Sequence, residues 1–89
     1  MCTYLTVSEP VSGTGLGARG WFGIERAVIT FDHPQAASLE HALCIDFRAP
    51  GTDPSARVAV ELDAASARAL AESILATLAS EEVQALGAG

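Results

Sequence analysis

Cysteine is scarce in this chain, which has only Cys2 and Cys44 among its 89 residues. Two cysteines are too few for a disulfide scaffold, and their separation fits neither a zinc knuckle nor a Cys-x-x-Cys redox pair. We therefore expect two reduced, partly buried thiols.

Positive charge is also scarce, because five basic residues stand against eleven acidic ones and the formal net charge is −6. A protein that binds along a nucleic-acid backbone needs clustered basic side chains to neutralise phosphates, and here they are scattered in sequence. We expect no nucleic-acid partner. Anionic membrane surfaces are disfavoured for the same reason.

Long apolar runs are absent from the sequence as well. No run approaches the ~20 residues that span a bilayer, and the N-terminal segment lacks the basic and apolar regions of a secretory signal. We expect no membrane partner and a cytoplasmic location.

What the chain does have is hydrophobic residues, which make up 49% of it and occur in every predicted element. A chain of this length forms one domain, here 1–89, with a single small core. So many apolar residues are expected to leave one face uncovered in the monomer. We therefore predict self-association, with a homodimer as the simplest form.

Alternating apolar residues predict four β-strands, at 2–7, 21–32, 39–48 and 56–62. In the second strand the apolar positions shift phase between Ile24 and Ala27, as a β-bulge would cause. The segment 8–20 contains four glycines and Pro10, which predicts a long, mobile connection.

A helix is predicted within 63–80, with Asp63 as its N-cap and further helical structure starting at Ser80. Its apolar stripe must be covered, and the inward face of the sheet is the obvious surface. The predicted fold is therefore α+β: a four-stranded antiparallel meander (β-β-β-β-α) with one C-terminal helix packed on the sheet. The stripe consists of Ala67, Leu70, Ala71, Ile74, Leu75 and Leu78.

Both histidines of the chain, His33 and His41, fall at the turn between the second and third strands. If Phe31 pairs with His41, His33 is the diagonal neighbour of His41, with Cβ atoms roughly 7–8 Å apart. Two imidazoles at that spacing can bind one divalent metal ion. The turn is thus a candidate metal or small-ligand site.

Carboxylates near the histidines would complete such a site, and Asp32, Glu40 and Asp63 are the candidates. A structural interpretation stays open. An Asp-His-Pro segment also forms an ordinary turn in which the Asp32 carboxylate accepts backbone N–H bonds, and His41 would then hydrogen-bond a loop carbonyl.

Three further residues are candidates. If Met1 were removed, Cys2 would present an amine beside a thiol, a pair that can bind a metal, although a buried strand thiol is the simpler interpretation. Trp21 and Tyr4 are candidate ligand-binding residues, and Trp21 also suits a core or a dimer interface.

The glycines at 13, 15 and 17 superficially resemble a phosphate-binding loop, but no helix follows them, so a flexible lid is the functional interpretation. Arg19 and Arg26 could bind an anionic ligand, although their spacing does not demand it. On the face of the sheet opposite the apolar row, charged side chains are expected to form surface pairs if solvated, or a polar seam between subunits if covered. These are Asp46, Arg48, Arg57 and Glu61.

Several segments together resemble a family of small uncharacterised bacterial proteins, chiefly actinobacterial. They are MCTYLT at 1–6, GWF at 20–22, DHP at 32–34, EH at 40–41, IDF at 45–47 and ARVAVEL at 56–62. The resemblance covers nearly the whole chain and implies a compact single domain without an established activity. It suggests that the positions to test are Cys2, Trp21, Asp32, His33, His41 and Asp46.

Two functions of different class therefore remain open. One is a small intracellular protein with a divalent metal ion or small ligand bound at His33 and His41. The other is a non-catalytic homo-oligomeric interaction module whose histidines are structural.

Overall fold

The computed structural model describes residues 5–51 and 53–87. Its strands form one antiparallel sheet in the order β1-β2-β3-β4, and two helices follow the sheet. This confirms the predicted α+β meander. Within the described residues, no helix is long and apolar enough to cross a membrane. The elements are β1 Leu5–Gly17, β2 Gly20–Asp32, β3 Ala42–Arg48, β4 Arg57–Leu62, α1 Ala64–Leu78 and α2 Glu81–Ala85.

The glycine-rich segment 8–20 is not a mobile connection, so that prediction is wrong. β1 continues through Gly17, which pairs with Gly20 across a two-residue turn. Glycine is needed here for close approach rather than for flexibility. A Cβ atom on Gly17 would collide with the Ser55 carbonyl oxygen, and one on Gly15 would press on the Ile24 side chain.

A β-bulge interrupts the pairing of β1 with β2. Pro10 pairs with Arg26 and Gly13 with Ile24, so two residues of β1 oppose the single residue Glu25 of β2. The bulge lies where the apolar pattern of the second strand predicts a phase shift. Its extra residue belongs to β1, however, and not to the strand whose pattern revealed it.

The register between β2 and β3 differs by two residues from the one assumed in the sequence analysis, in which Phe31 pairs with His41. Phe31 pairs with Leu43, and not with His41. Residues 33–41 form an irregular loop, called the histidine loop below, so β3 begins only at Ala42. Because the shift is even, every side chain keeps its predicted face.

Register and alternation give the sheet two different faces. We call the first the apolar face; it comprises Leu5, Val7, Ala27, Ile29, Phe31, Leu43, Ile45, Phe47, Val58, Val60 and Leu62. We call the second the polar face; it comprises Arg26, Val28, Thr30, Cys44, Asp46, Arg48, Arg57, Ala59 and Glu61.

Helix α1 begins after Asp63, whose carboxylate accepts a 2.6 Å hydrogen bond from the Ser66 N–H. This confirms the predicted N-cap. The helix meets the apolar face at one corner, where its alanines and the side chains of Phe31 and Leu43 line a gap of about 590 Å³. The large residues of its stripe stay exposed, and Leu75 keeps 68% of its surface. The sheet therefore covers the helix only in part.

Candidate functional site

The histidine loop brings the two imidazoles into contact. The ring centroids of His33 and His41 lie 4.8 Å apart with an interplanar angle of 29°. The His41 ring also stacks on Phe31, at 5.8 Å between centroids. The rings thus meet, as the sequence predicted, although they do so from a loop and not from two paired strands.

The loop holds His33 at its backbone and at its ring. The His33 N–H donates a 2.7 Å hydrogen bond to Asp32 Oδ1, and His33 Nδ1 lies 2.9 Å from the Glu40 carbonyl oxygen. A carbonyl oxygen only accepts, so this contact requires the hydrogen on Nδ1. Asp32 therefore has the structural role that the sequence offered as the alternative to a ligand site, whereas the bond to a loop carbonyl, expected for His41, is made by His33.

The arrangement gives limited support for metal binding. Nearly parallel stacked rings face each other, whereas histidines that share one ion direct ring nitrogens at a common point. Among residues 5–51 and 53–87, no group of three or more His, Cys, Asp or Glu side chains is placed to hold a metal ion. Asp63 caps α1, and Cys2 lies outside the described residues. A metal ion at His33 and His41 stays a prediction.

Trp21 lies far from the histidines. It sits at the start of β2, 71% exposed and paired with Leu16, whereas His33 follows the other end of the same strand. Twelve residues of strand separate the two positions by roughly 40 Å. Trp21 and the histidines therefore do not form one site. Tyr4, the other predicted ligand contact, lies outside the described residues.

A cavity of about 690 Å³ lies on the polar face. The central strands form its floor, the histidine loop forms one end, and two arginines stand at the other. The sequence pattern placed most of these charged residues on one face but gave no sign of a concave surface. Its lining includes Val28, Thr30, Asp32, His33, Gln35, Ala36, Ala37, Cys44, Asp46, Arg48, Arg57, Ala59 and Glu61.

Glu61 fixes the loop end of this cavity. Its carboxylate accepts hydrogen bonds from the backbone N–H groups of Gln35 at 2.6 Å, and of Ala36 and Ala37 at 3.0 Å each. These bonds, that from Gln35 foremost, hold the pKa of Glu61 below its ordinary value. One carboxylate on β4 therefore sets the shape of a loop about 25 residues earlier in the chain.

Asp46 anchors the opposite end and is 9% exposed. It accepts hydrogen bonds of 2.8 Å from the Nε of Arg48 and of Arg57. Burial by itself raises the pKa of this carboxyl, but the hydrogen bonds and charges of the two guanidiniums outweigh burial, and the pKa is lowered. Asp46 is therefore an ionised group that orients both arginines.

A family model described as a family of unknown function, DUF6295, matches residues 1–87. No curated protein and no solved structure matches the chain.

Proposed function

The chain belongs to DUF6295, a family of unknown function, and on the chain's own geometry we propose that it is a self-associating module. Two copies join through the apolar face and the stripe of α1. The observation that carries this proposal is the exposure of that face in a single copy.

A single copy has almost no buried core. Among the described residues, the only buried hydrophobic side chains are Ala27 and Ala42. On the sheet, Leu5 is 64% exposed and Val60 38%, and no residue of α1 is buried. Apolar surface on this scale is unusual for a stable monomer and is typical of an interface.

The surface area supports the same interpretation. The chain exposes 6485 Å², whereas a compact monomer of 9.2 kDa exposes about 4900 Å². The excess, about 1500 Å², lies within the roughly 1000–2500 Å² that each subunit buries in an obligate dimer. The radius of gyration, 14.8 Å, also exceeds the about 12 Å of a compact domain of this length.

A second copy fits this surface better than an unrelated partner. Each copy presents an exposed apolar sheet face and a helix whose large apolar side chains are also exposed. A twofold axis lets the helix of each copy cover the sheet of the other, which makes one surface complementary to itself. We therefore assign the apolar face to a homodimer.

Sedimentation equilibrium tests the proposal on the intact chain. We expect a mass about twice the 9.2 kDa of one copy, held on dilution because obligate interfaces bury large apolar areas. A mass of one copy at every concentration would refute the proposal.

A divalent metal ion or a small ligand at His33 and His41 is our second candidate function. It is supported by the contact between the two rings, 4.8 Å between centroids. Oxygen or sulfur ligands from outside the loop would have to complete a metal site, because the ring pair supplies two nitrogens at most. A cytoplasmic location and a bacterial, chiefly actinobacterial, distribution stay predictions of the sequence.

A further inference from the structure

Three arginines lie side by side across the polar face. Arg26 pairs with Arg48, and Arg48 pairs with Arg57, so β2, β3 and β4 each contribute one to what we call the arginine row. Neighbouring strands are about 4.8 Å apart. The row thus gathers three of the chain's five basic residues within a short distance.

The bonded partners of the row do not balance its charge. Asp46 is the carboxylate that binds Arg48 and Arg57, while Arg26 donates to the neutral hydroxyl of Ser8 at 2.6 Å. Like charges placed directly opposite each other in a sheet are destabilising. Among the described residues, the three arginines thus share one bonded carboxylate, which leaves a local excess of two positive charges in a chain whose net charge is −6.

The arginines also keep donors available. The Nε–H of Arg57 donates to both carboxylate oxygens of Asp46. Within the described part of the chain, the two terminal nitrogens of Arg57 have no acceptor. The side chains of Arg48 and Arg57 are 55% and 52% exposed, yet a nearly buried carboxylate holds them in place. A fixed guanidinium fork suits the planar oxygens of a carboxylate or phosphate.

The space beside these donors has the size of a small-molecule site. Arg48 and Arg57 line the cavity of about 690 Å³, whose floor carries short side chains such as Thr30 and Ala59. Ligand pockets usually measure about 300–1000 Å³. Two carboxylates line the far end of the cavity, and both already accept backbone N–H bonds. Glu61 lies four residues along β4 from Arg57, roughly 13 Å away, and binds three backbone N–H groups. Asp32 binds the backbone N–H of His33.

We propose that the cavity on the polar face binds a small organic anion, whose carboxylate or phosphate group is held by Arg48 and Arg57. The site faces away from the apolar surface assigned to the dimer. Failure of the dimer proposal would therefore leave the anion site untouched, and the reverse also holds.

Titration of isotope-labelled protein with inorganic phosphate or with succinate, followed by NMR, tests this site. We expect saturable shifts at the guanidinium N–H signals of Arg48 and Arg57 with at least one probe. Sodium chloride at equal ionic strength should not reproduce these shifts. Stronger binding of phosphate would identify a phosphorylated ligand, and stronger binding of succinate a carboxylic acid. No saturable shift with either anion would overturn the proposal.

Three variants complete the experiment. Arg57→Gln should weaken binding about tenfold or more, as expected for the loss of a charge-assisted hydrogen bond. Arg19→Gln, in the exposed β1–β2 turn, removes the same charge and should bind like the wild type. Ala59→Leu fills the cavity floor without changing the charge of the protein and should also weaken binding. The result for Ala59→Leu does not depend on how the arginines contribute to folding.

Equal affinity in Arg57→Gln and Arg19→Gln would show that binding reflects net charge alone, and the proposal would fail. Undiminished binding in Ala59→Leu would place the anion outside the cavity and reject the proposed site. Amide dispersion in the spectrum of each variant shows whether it is folded.

Discussion

Glu61 of β4 is hydrogen-bonded to Gln35 of the histidine loop, with 2.6 Å between Oε2 and the backbone nitrogen. The same carboxylate binds the next two backbone N–H groups. These bonds hold the middle of the histidine loop, which precedes β3. One side chain thus satisfies three backbone N–H groups that lie outside the β2–β3 ladder.

We predict that Glu61→Gln lowers stability above about pH 4.3, the ordinary pKa of glutamate. Hydrogen bonds from the loop lower the pKa of Glu61 in the folded chain. The ionised carboxylate thus stabilises the fold above the unfolded pKa, and this contribution is lost as pH falls through the folded pKa. Thermal melts of both proteins at a series of pH values measure the difference.

The gap between the melting temperatures of wild type and Glu61→Gln should close in acid. The carboxyls of Asp46, Asp53 and Asp63 also have lowered pKa values, but they titrate in both proteins and cancel in the comparison. Glu72→Gln, on the exposed surface of α1, controls for the loss of one charge. A gap that stays constant down to pH about 3 would contradict the assigned role.

The dimer predicts an unusual response to a surface substitution on α1. Leu75 is 68% exposed in one copy, so Leu75→Glu should be harmless in a monomer. In the proposed dimer it buries a charge in an apolar interface, and we expect dissociation together with a loss of stability of about 2 kcal/mol or more. Light scattering and thermal melts measure the two effects.

Ala76→Glu is the matched control for the dimer. It adds the same charge one residue later in α1, on the side away from the apolar stripe. Its mass and stability should stay close to those of the wild type. If Leu75→Glu behaves like Ala76→Glu, the stripe is not part of an interface.

Close packing of the β1–β2 hairpin predicts opposite effects for two glycine substitutions. A methyl group on Gly17 would collide with the Ser55 carbonyl oxygen, whereas one on Gly13 meets nothing within 4 Å. We expect Gly17→Ala to destabilise the fold by about 1–3 kcal/mol. Gly13→Ala should be neutral or stabilise it by up to about 1 kcal/mol. Urea unfolding of both variants distinguishes this explanation from simple loss of backbone flexibility, which predicts similar effects.

Metal binding by the histidine pair predicts near-stoichiometric metal in the purified protein. Elemental analysis of the wild type and of a His33→Ala, His41→Ala variant measures this, and the metal should be lost in the variant. Wild-type protein that remains metal-free after incubation with zinc, iron, copper and nickel would end the hypothesis. Equal metal content in both proteins would place the metal elsewhere.

The sequence predicted well those features that depend only on residues close together in the chain. Alternation identified all four strands and their faces, and Asp63 marked the start of α1 because N-cap chemistry involves only the next few residues. The glycine-rich segment was misjudged, because glycine permits both flexible loops and tightly packed strands. Only contact with Ser55, 38 positions later than Gly17, distinguishes the two.

The sequence by itself determined an antiparallel sheet with one apolar and one polar face, because side-chain alternation is a property of each strand alone. The tertiary structure decided which residues meet. Register between strands aligned Arg26, Arg48 and Arg57 in one row. Glu61 holds the loop in which the two histidine rings stack. Such pairings depend on hydrogen bonds between residues far apart in the chain, and no local pattern encodes them.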